Sequence, residues 1–135
     1  MNTNRLLNEA YAMPVVNISD LKWDEAVERI ESIICEYQNV TREQMRGLSR
    51  ENDIVTARHI VYFVLKCFAN TTYVNICRRY NAKRCNVRAS ILKIENYYGH
   101  DKYFKMKLDN ILELLYNDSK LMFGKHMNLL PTLKE

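Results

Sequence analysis

Glycine and proline are scarce in this chain, which has three glycines and two prolines among 135 residues. Both residues interrupt helices, so their scarcity favours helical structure, and a hydrophobic content of 47% is enough for a compact core. No apolar run reaches about 18 residues, so no membrane span is predicted. The first residues also lack the basic segment and apolar run of a secretory signal. We therefore expect an all-α, compact helical bundle located in the cytoplasm.

The residue spacings that mark metal sites are also missing. No two of the four cysteines are separated by the two to four residues typical of a zinc site. We interpret the cysteines as buried reduced thiols, and a zinc shared with a histidine is an alternative that the spacing does not support. The cysteines are Cys35, Cys67, Cys77 and Cys85, and the histidines are His59, His100 and His126.

Catalytic patterns are absent as well. No serine, histidine and acid, and no cysteine and histidine, have the spacing of a catalytic site, and carboxylate pairs such as Glu25 and Glu28 suit the solvated side of one helix. The chain also has no Gly-x-x-x-x-Gly-Lys-Ser/Thr loop for a nucleotide. We expect no enzyme activity, no cofactor, no metal and no ATPase module.

Positive charge is concentrated in the middle of the chain, although the formal net charge is only +4. Residues 42–107 contain fourteen basic and five acidic residues, whereas residues 1–41 contain three basic and seven acidic residues. Residues 108–135 contain three basic and four acidic residues. A basic region between acidic ends indicates a polyphosphate partner. A solvated basic surface is the alternative, and charge alone does not decide between them.

The segment 72–95 has the pattern of a helix-turn-helix. Apolar side chains recur at helical spacing before a turn at Asn81-Ala82 and again after it, and no acid occurs before Glu95. One face therefore suits a core, and the other suits a polyanion. The apolar positions are Val74, Ile76, Cys77, Tyr80, Val87, Ile91 and Ile94, and the basic positions are Arg78, Arg79, Lys83, Arg84 and Arg88.

Further helices are predicted on both sides of this motif. The first ends at Asn39, and a capping box that starts at Thr41 opens a short second helix that Gly47 ends. A third helix of roughly four turns follows, and Gly99 is expected to end the recognition helix in a left-handed conformation. A last helix begins near Asp101. We divide the chain into an arm (1–22), a helical domain (23–121) and a tail (122–135).

Three segments match motifs of a known family. Residues 48–66 contain Ile54-Val-Thr-Ala-Arg58 and a lysine near the helix end, and the outer parts of the motif read Ile76-Cys-Arg-Arg-Tyr-Asn81 and Ile91-Leu-Lys-Ile-Glu95. From about Trp23 to Leu115 the chain resembles the C-terminal DNA-binding domain of the bacterial DnaA family. The resemblance implies a helix-turn-helix fold like domain IV of DnaA and binding to double-stranded DNA.

The tip of the recognition helix differs from the family signature. The family has Arg/Lys-Asp-His-Ser/Thr-Thr-Val, whereas this chain has Asn81-Ala-Lys-Arg-Cys-Asn-Val87. Arg84 stands at the histidine position, and Cys85 and Asn86 replace the two hydroxyl residues. We therefore do not expect recognition of the family's DnaA-box sequence.

The candidate DNA-binding residues come from the motif and from the resemblance. Arginine can pair with guanine and asparagine with adenine, so the start of the recognition helix is the predicted reading edge. Arg50 matches a family arginine that enters the minor groove, and Arg58 either contacts phosphate or anchors its helix internally. Thr71 or Thr72 is expected to cap the first motif helix. The reading edge comprises Arg84, Cys85, Asn86 and Arg88, and the phosphate candidates are Lys66, Thr72, Arg78, Arg79 and Lys83.

Taken together, these features predict a sequence-specific double-stranded DNA-binding protein, nucleoid-associated, that regulates transcription or replication. The alternative is a protein-interaction module that keeps the fold and has lost DNA reading, supported by the altered turn, the acidic first helix and the apolar tail from Met127. The arm and the tail are the candidate surfaces for a homodimer. The sequence identifies neither the target site nor the regulated genes or replicon.

Overall fold

The computed structural model describes residues 23–69 and 71–118, and the predicted arm 1–22 and tail 122–135 lie outside this part of the chain. The described residues form six helices and contain no strand, which confirms the predicted all-α fold. None of the described helices is long and apolar enough to cross a bilayer. The helices are α1 (Trp23–Gln38), α2 (Arg42–Arg46), α3 (Asn52–Cys67), α4 (Tyr73–Tyr80), α5 (Arg84–His100) and α6 (Lys102–Tyr116).

Local signals end α1 and begin α2 as the sequence predicts. Asn39 follows α1 with a φ of 60°, a left-handed conformation that asparagine tolerates better than most residues. The Thr41 hydroxyl accepts a hydrogen bond from the Gln44 amide at 3.0 Å, and the Gln44 side chain accepts one from the Thr41 amide at 2.9 Å. This capping box starts α2, and Gly47 follows its last residue.

Helix α3 lies at the centre of the core and contacts α1, α2, α4 and α5. Phe63 is fully buried, and its ring packs edge-on against Phe68 with 5.8 Å between the centroids. Each fully buried side chain of this kind contributes about 1.5–3 kcal/mol relative to an exposed one. Because α3 contacts both α4 and α5, it supports the two motif helices. Its buried residues are Ile54, Ala57, Ile60, Val61, Tyr62, Phe63, Val64, Leu65 and Cys67.

Helices α4 and α5 form the predicted helix-turn-helix. Asn81 follows α4 in the left-handed conformation with a φ of 51°, and the amide of Ala82 donates to the carbonyl of Cys77 at 3.0 Å. Val87 and Ile94 of α5 are buried. The apolar face of α5 therefore anchors the recognition helix on the core.

The end of α5 differs from the prediction. Gly99 does not end the helix in a left-handed conformation, because α5 continues to His100 and no described glycine has a positive φ. Asp101 marks the boundary instead, since its carboxylate accepts hydrogen bonds from the amides of Tyr103 and Phe104 and caps α6. The boundary between α5 and α6 is therefore set by Asp101, the capping residue of α6, rather than by a glycine.

Candidate nucleic-acid interface

The first motif helix begins at a threonine cap. The Thr72 hydroxyl accepts a hydrogen bond from the amide of Asn75 at 3.2 Å, which is the capping role predicted from the sequence. Thr72 is exposed at the N-terminus of α4. Helix N-termini carry partial positive charge and favour phosphate groups. Thr72 therefore caps α4 at a place that suits a phosphate contact.

The first turn of the recognition helix faces solvent. Lys83 is the cap residue of α5, but its side chain makes no capping hydrogen bond, and the first turn contains no acid. Buried Val87 holds this turn on the core. The amides at the start of α5 are thus not covered by a capping side chain. All the predicted residues around the start of α5 are exposed, namely Lys83, Arg84, Cys85, Asn86 and Arg88.

Two of the predicted cations meet on one tyrosine ring. Nζ of Lys66 on α3 and Cζ of Arg84 on α5 each lie 5.0 Å from the ring centroid of Tyr73 on α4. A cation over an aromatic ring is attracted by about 0.5–1 kcal/mol at exposed sites. The structure therefore brings together candidates from α3 and α5 at the start of α4. Sequence reasoning missed Tyr73, although its place directly after the predicted cap Thr72 was a usable signal.

The cysteines differ in exposure. Cys35 and Cys67 are buried as expected, but Cys77 is half-buried and Cys85 is exposed, and all four are free thiols. The Cys85 thiol donates to Oδ1 of Asn86 at 3.7 Å. Within residues 23–69 and 71–118, no group of three or more histidine, cysteine or acidic residues could hold a metal ion. Cys85 therefore belongs to the exposed edge of α5 rather than to the core.

Arg50 is exposed on the loop between α2 and α3, and Arg58 ties this loop to α3. Nε of Arg58 donates to the carbonyl of Met45 at 2.7 Å. Its Nη2 donates to the carbonyls of Gly47 and Ser49 at 2.9 and 3.2 Å. Of the two roles expected for Arg58, these hydrogen bonds correspond to the internal one, in which Arg58 anchors its helix. A phosphate contact by Arg58 stays a prediction.

A buried carboxylate links α1, α2 and α4. Glu31 of α1 is fully buried, and its Oε1 accepts hydrogen bonds from Arg42 and Arg46 of α2 at 3.0 and 2.6 Å. Its Oε2 accepts from Nε of Arg79 at 3.4 Å and from the hydroxyl of Tyr80, both on α4. Glu31 therefore fixes the first motif helix to the amino-terminal helices.

The ionisation of this cluster follows from its contacts. Burial raises the pKa of Glu31, but the hydrogen bonds from Tyr80, Arg46 and Arg42 outweigh burial and hold that pKa below its ordinary value. Burial and the Glu31 charge raise the pKa of the Tyr80 hydroxyl. At neutral pH, Glu31 is therefore a carboxylate and Tyr80 a neutral donor.

Arg79 is not available as a phosphate contact, contrary to the expectation from the sequence. Its side chain is only 15% exposed, and it pairs with Glu31 and with Oδ1 of Asp24 at 3.3 Å. The neighbouring Arg78 is exposed and stays a phosphate candidate. The pairing of Arg79 was missed because Glu31 lies 48 residues earlier in the chain, so no local pattern reveals it.

Comparisons with known proteins relate the chain to one family of DNA-binding helix-turn-helix domains. A family model described as "Bacterial dnaA protein helix-turn-helix" matches residues 27–94. The protein named "Chromosomal replication initiator protein DnaA" of Oleidesulfovibrio alaskensis is 24% identical over 129 residues, which cover 87% of this chain and 27% of that protein. The chain thus spans about a quarter of the length of this curated relative. No solved structure matches the chain.

Proposed function

Because the chain belongs to the bacterial DnaA helix-turn-helix family, we propose that it is a sequence-specific double-stranded DNA-binding protein that regulates replication or transcription. The family is a DNA-binding one related to replication initiation. The sequence preference and the regulatory role are what we add to that family assignment. ATP-dependent activity is not part of the proposal, because the 135 residues contain no nucleotide-binding loop.

The exposed first turn of α5 supports this proposal most strongly. In helix-turn-helix proteins, the N-terminal residues of the second helix contact base edges in the major groove. Arg84 and Asn86 are exposed there while Val87 anchors the helix. Arginine can donate two hydrogen bonds to guanine, and asparagine can form a pair of hydrogen bonds with adenine. We therefore expect both residues to read bases.

Phosphate contacts would set the register of α5 on the duplex. We assign this role to Lys66, Thr72 and Lys83, which come from three different positions around the motif. Arg50 would reach the minor groove from the loop that Arg58 ties to α3. Contacts of this kind release counterions, so affinity should fall steeply as salt rises.

Homodimerisation through the arm or the tail, and a nucleoid-associated location in the cytoplasm, belong to the same proposal. Two half-sites would multiply affinity and discrimination, as in other helix-turn-helix proteins. Sedimentation of the full chain with and without its selected duplex measures the stoichiometry directly. Two chains per duplex support a dimer, and one chain per duplex rejects it.

Selection from a random duplex library at fixed salt tests the proposed function. We expect enrichment of a defined sequence, with affinity that decreases as salt increases. Failure to enrich any sequence, together with salt-independent or absent binding to every duplex, would contradict the proposal. Capture of partner proteins that survives nuclease treatment would then favour the interaction module.

A further inference from the structure

Tyr73 lies where helices α3, α4 and α5 meet, next to candidate cations from α3 and α5. It is the first residue of α4, and its half-buried ring has Lys66 from α3 and Arg84 from α5 over it, each at 5.0 Å. The contact couples a side chain predicted to read bases to one predicted to hold phosphate.

The way in which Tyr73 holds these cations matters for DNA binding. Arg42 and Arg46 pair with the carboxylate of Glu31, which cancels part of their positive charge. An aromatic ring attracts a cation through its quadrupole and carries no net charge. The ring of Tyr73 therefore restrains Arg84 while leaving its full positive charge for the duplex.

The hydrogen-bonding capacity of Arg84 is also preserved. Within the described residues, the guanidinium of Arg84 lies against the ring of Tyr73, and the first turn of α5 contains no acid. A guanidinium has five N–H donors, and a contact with a ring face does not require them. Restraining this long side chain before binding reduces the rotamer entropy lost in the complex.

We propose that Tyr73 is a positioning residue for DNA reading: its ring orients Arg84 toward a base edge and holds Lys66 at the adjacent backbone. This inference rests on the proposed function and adds a determinant of its sequence preference. Because Arg84 suits the two acceptors of guanine, the preference that depends on Tyr73 is a preference for guanine at one position.

The test replaces Tyr73 in the full chain and measures affinity for the selected duplex and for duplexes changed at single positions. Tyr73→Phe keeps the ring and should bind within about twofold of the wild type, whereas Tyr73→Leu should lose about two- to fivefold for each cation released. The part of the loss that comes from Arg84 should be concentrated at one base pair, whereas the part that comes from Lys66 should be the same for every duplex. Tyr103→Leu on α6 replaces an exposed tyrosine without a described cation contact and should leave the profile unchanged.

Fluorinated phenylalanines at position 73 keep the test decisive if Tyr73→Leu fails to fold. Fluorine weakens the ring quadrupole with little change of shape, so affinity should fall stepwise with the number of fluorines. In an Arg84→Ala background, the part of this effect that comes from Arg84 should disappear. If phenylalanine and its fluorinated forms at position 73 give equal affinities for the selected duplex and for its single-position variants, the role of Tyr73 is overturned.

The wild-type measurement separates this inference from the proposed function. A wild-type chain without any sequence preference overturns the proposed function itself. A wild-type chain that prefers one sequence, combined with fluorinated variants that bind and discriminate equally well, overturns only the positioning role of Tyr73.

Discussion

Arg84 and Asn86 are the residues whose replacement should change which sequence the protein prefers. If Arg84 and Asn86 read bases as proposed, alanine at either position should cost about 1–3 kcal/mol for the preferred sequence and much less for other sequences. Binding to a library of single-position variants of the selected duplex measures the change. Lys93→Ala, an exposed lysine of α5 beyond its first turns, is the control and should keep the wild-type preference.

Lys66 should contribute to affinity rather than to discrimination. Lys66→Ala removes a cation proposed to contact phosphate, so all duplexes should bind more weakly and the salt slope should fall by about one. Affinity measured at several salt concentrations, for the selected and a scrambled duplex, gives this slope. A larger loss for one sequence than for the other would contradict a pure phosphate role.

His59 should make stability depend on pH. Burial, followed by the charges of Lys93 and Arg58, lowers the pKa of His59 from 6.5 to about 4. As the pH falls, the unfolded chain therefore binds a proton at His59 before the folded chain does. The free energy of unfolding should be highest above about pH 6.5 and should decrease as the pH falls toward 4. Urea unfolding across this range should show the decrease in the wild type and a flatter curve for His59→Gln. Equal curves would refute the assignment.

At the scale of elements, the sequence predicts those boundaries that a local signal defines. The capping box at Thr41, the helix end at Asn39, the turn at Asn81 and the cap at Thr72, one of two candidate caps, follow from neighbouring residues. The left-handed conformation of Asn39 and Asn81 is added by the structure. The prediction for Gly99 is wrong because glycine often ends a helix, whereas α5 continues past Gly99 to His100. The cluster around Glu31 was not predictable, since the residues that join there are distant in sequence.

The attachment of α4 to α1 and α2 should depend on Glu31. Glu31→Gln removes the charge that Arg42, Arg46 and Arg79 share. Breaking a buried ion pair costs about 3–5 kcal/mol, and we expect about 2–3 here because two of the arginines are partly exposed. Urea unfolding at neutral pH measures this loss in the free energy of unfolding.

Glu28→Gln is the matched control for the Glu31 variant. It makes the same change of charge on the same helix, but the Glu28 side chain is 55% exposed. Its Oε2 lies 4.0 Å from Nη2 of Arg42, a long distance for an ion pair. A change within about 0.5 kcal/mol is expected for such a surface pair. Similar losses for both variants would show that the buried cluster is no more important than surface charge. The Glu31 contribution should also vanish in acid, as the pH falls through its lowered folded-state pKa.

At the scale of the whole molecule, the family match and the candidate interface coincide. Residues 27–94 include every candidate DNA-binding residue from Arg50 to Arg88, whereas α6 lies beyond the match. The fold was accessible from sequence because apolar periodicity marks the longer helices and a capping box marks the short helix α2. The arrangement of the interface was not, because the meeting of Lys66 and Arg84 on Tyr73 requires three packed helices.

The exposed thiol of Cys85 permits a direct test of which surface faces the duplex. It lies between Arg84 and Asn86 in the first turn of α5, while half-buried Cys77 provides an internal reference. The rate of alkylation of each thiol would be measured with and without the selected duplex. If this turn enters the groove, labelling of Cys85 falls in step with the fraction of protein bound and labelling of Cys77 does not. Unchanged labelling of Cys85 in a fully formed complex would show that another surface binds the DNA.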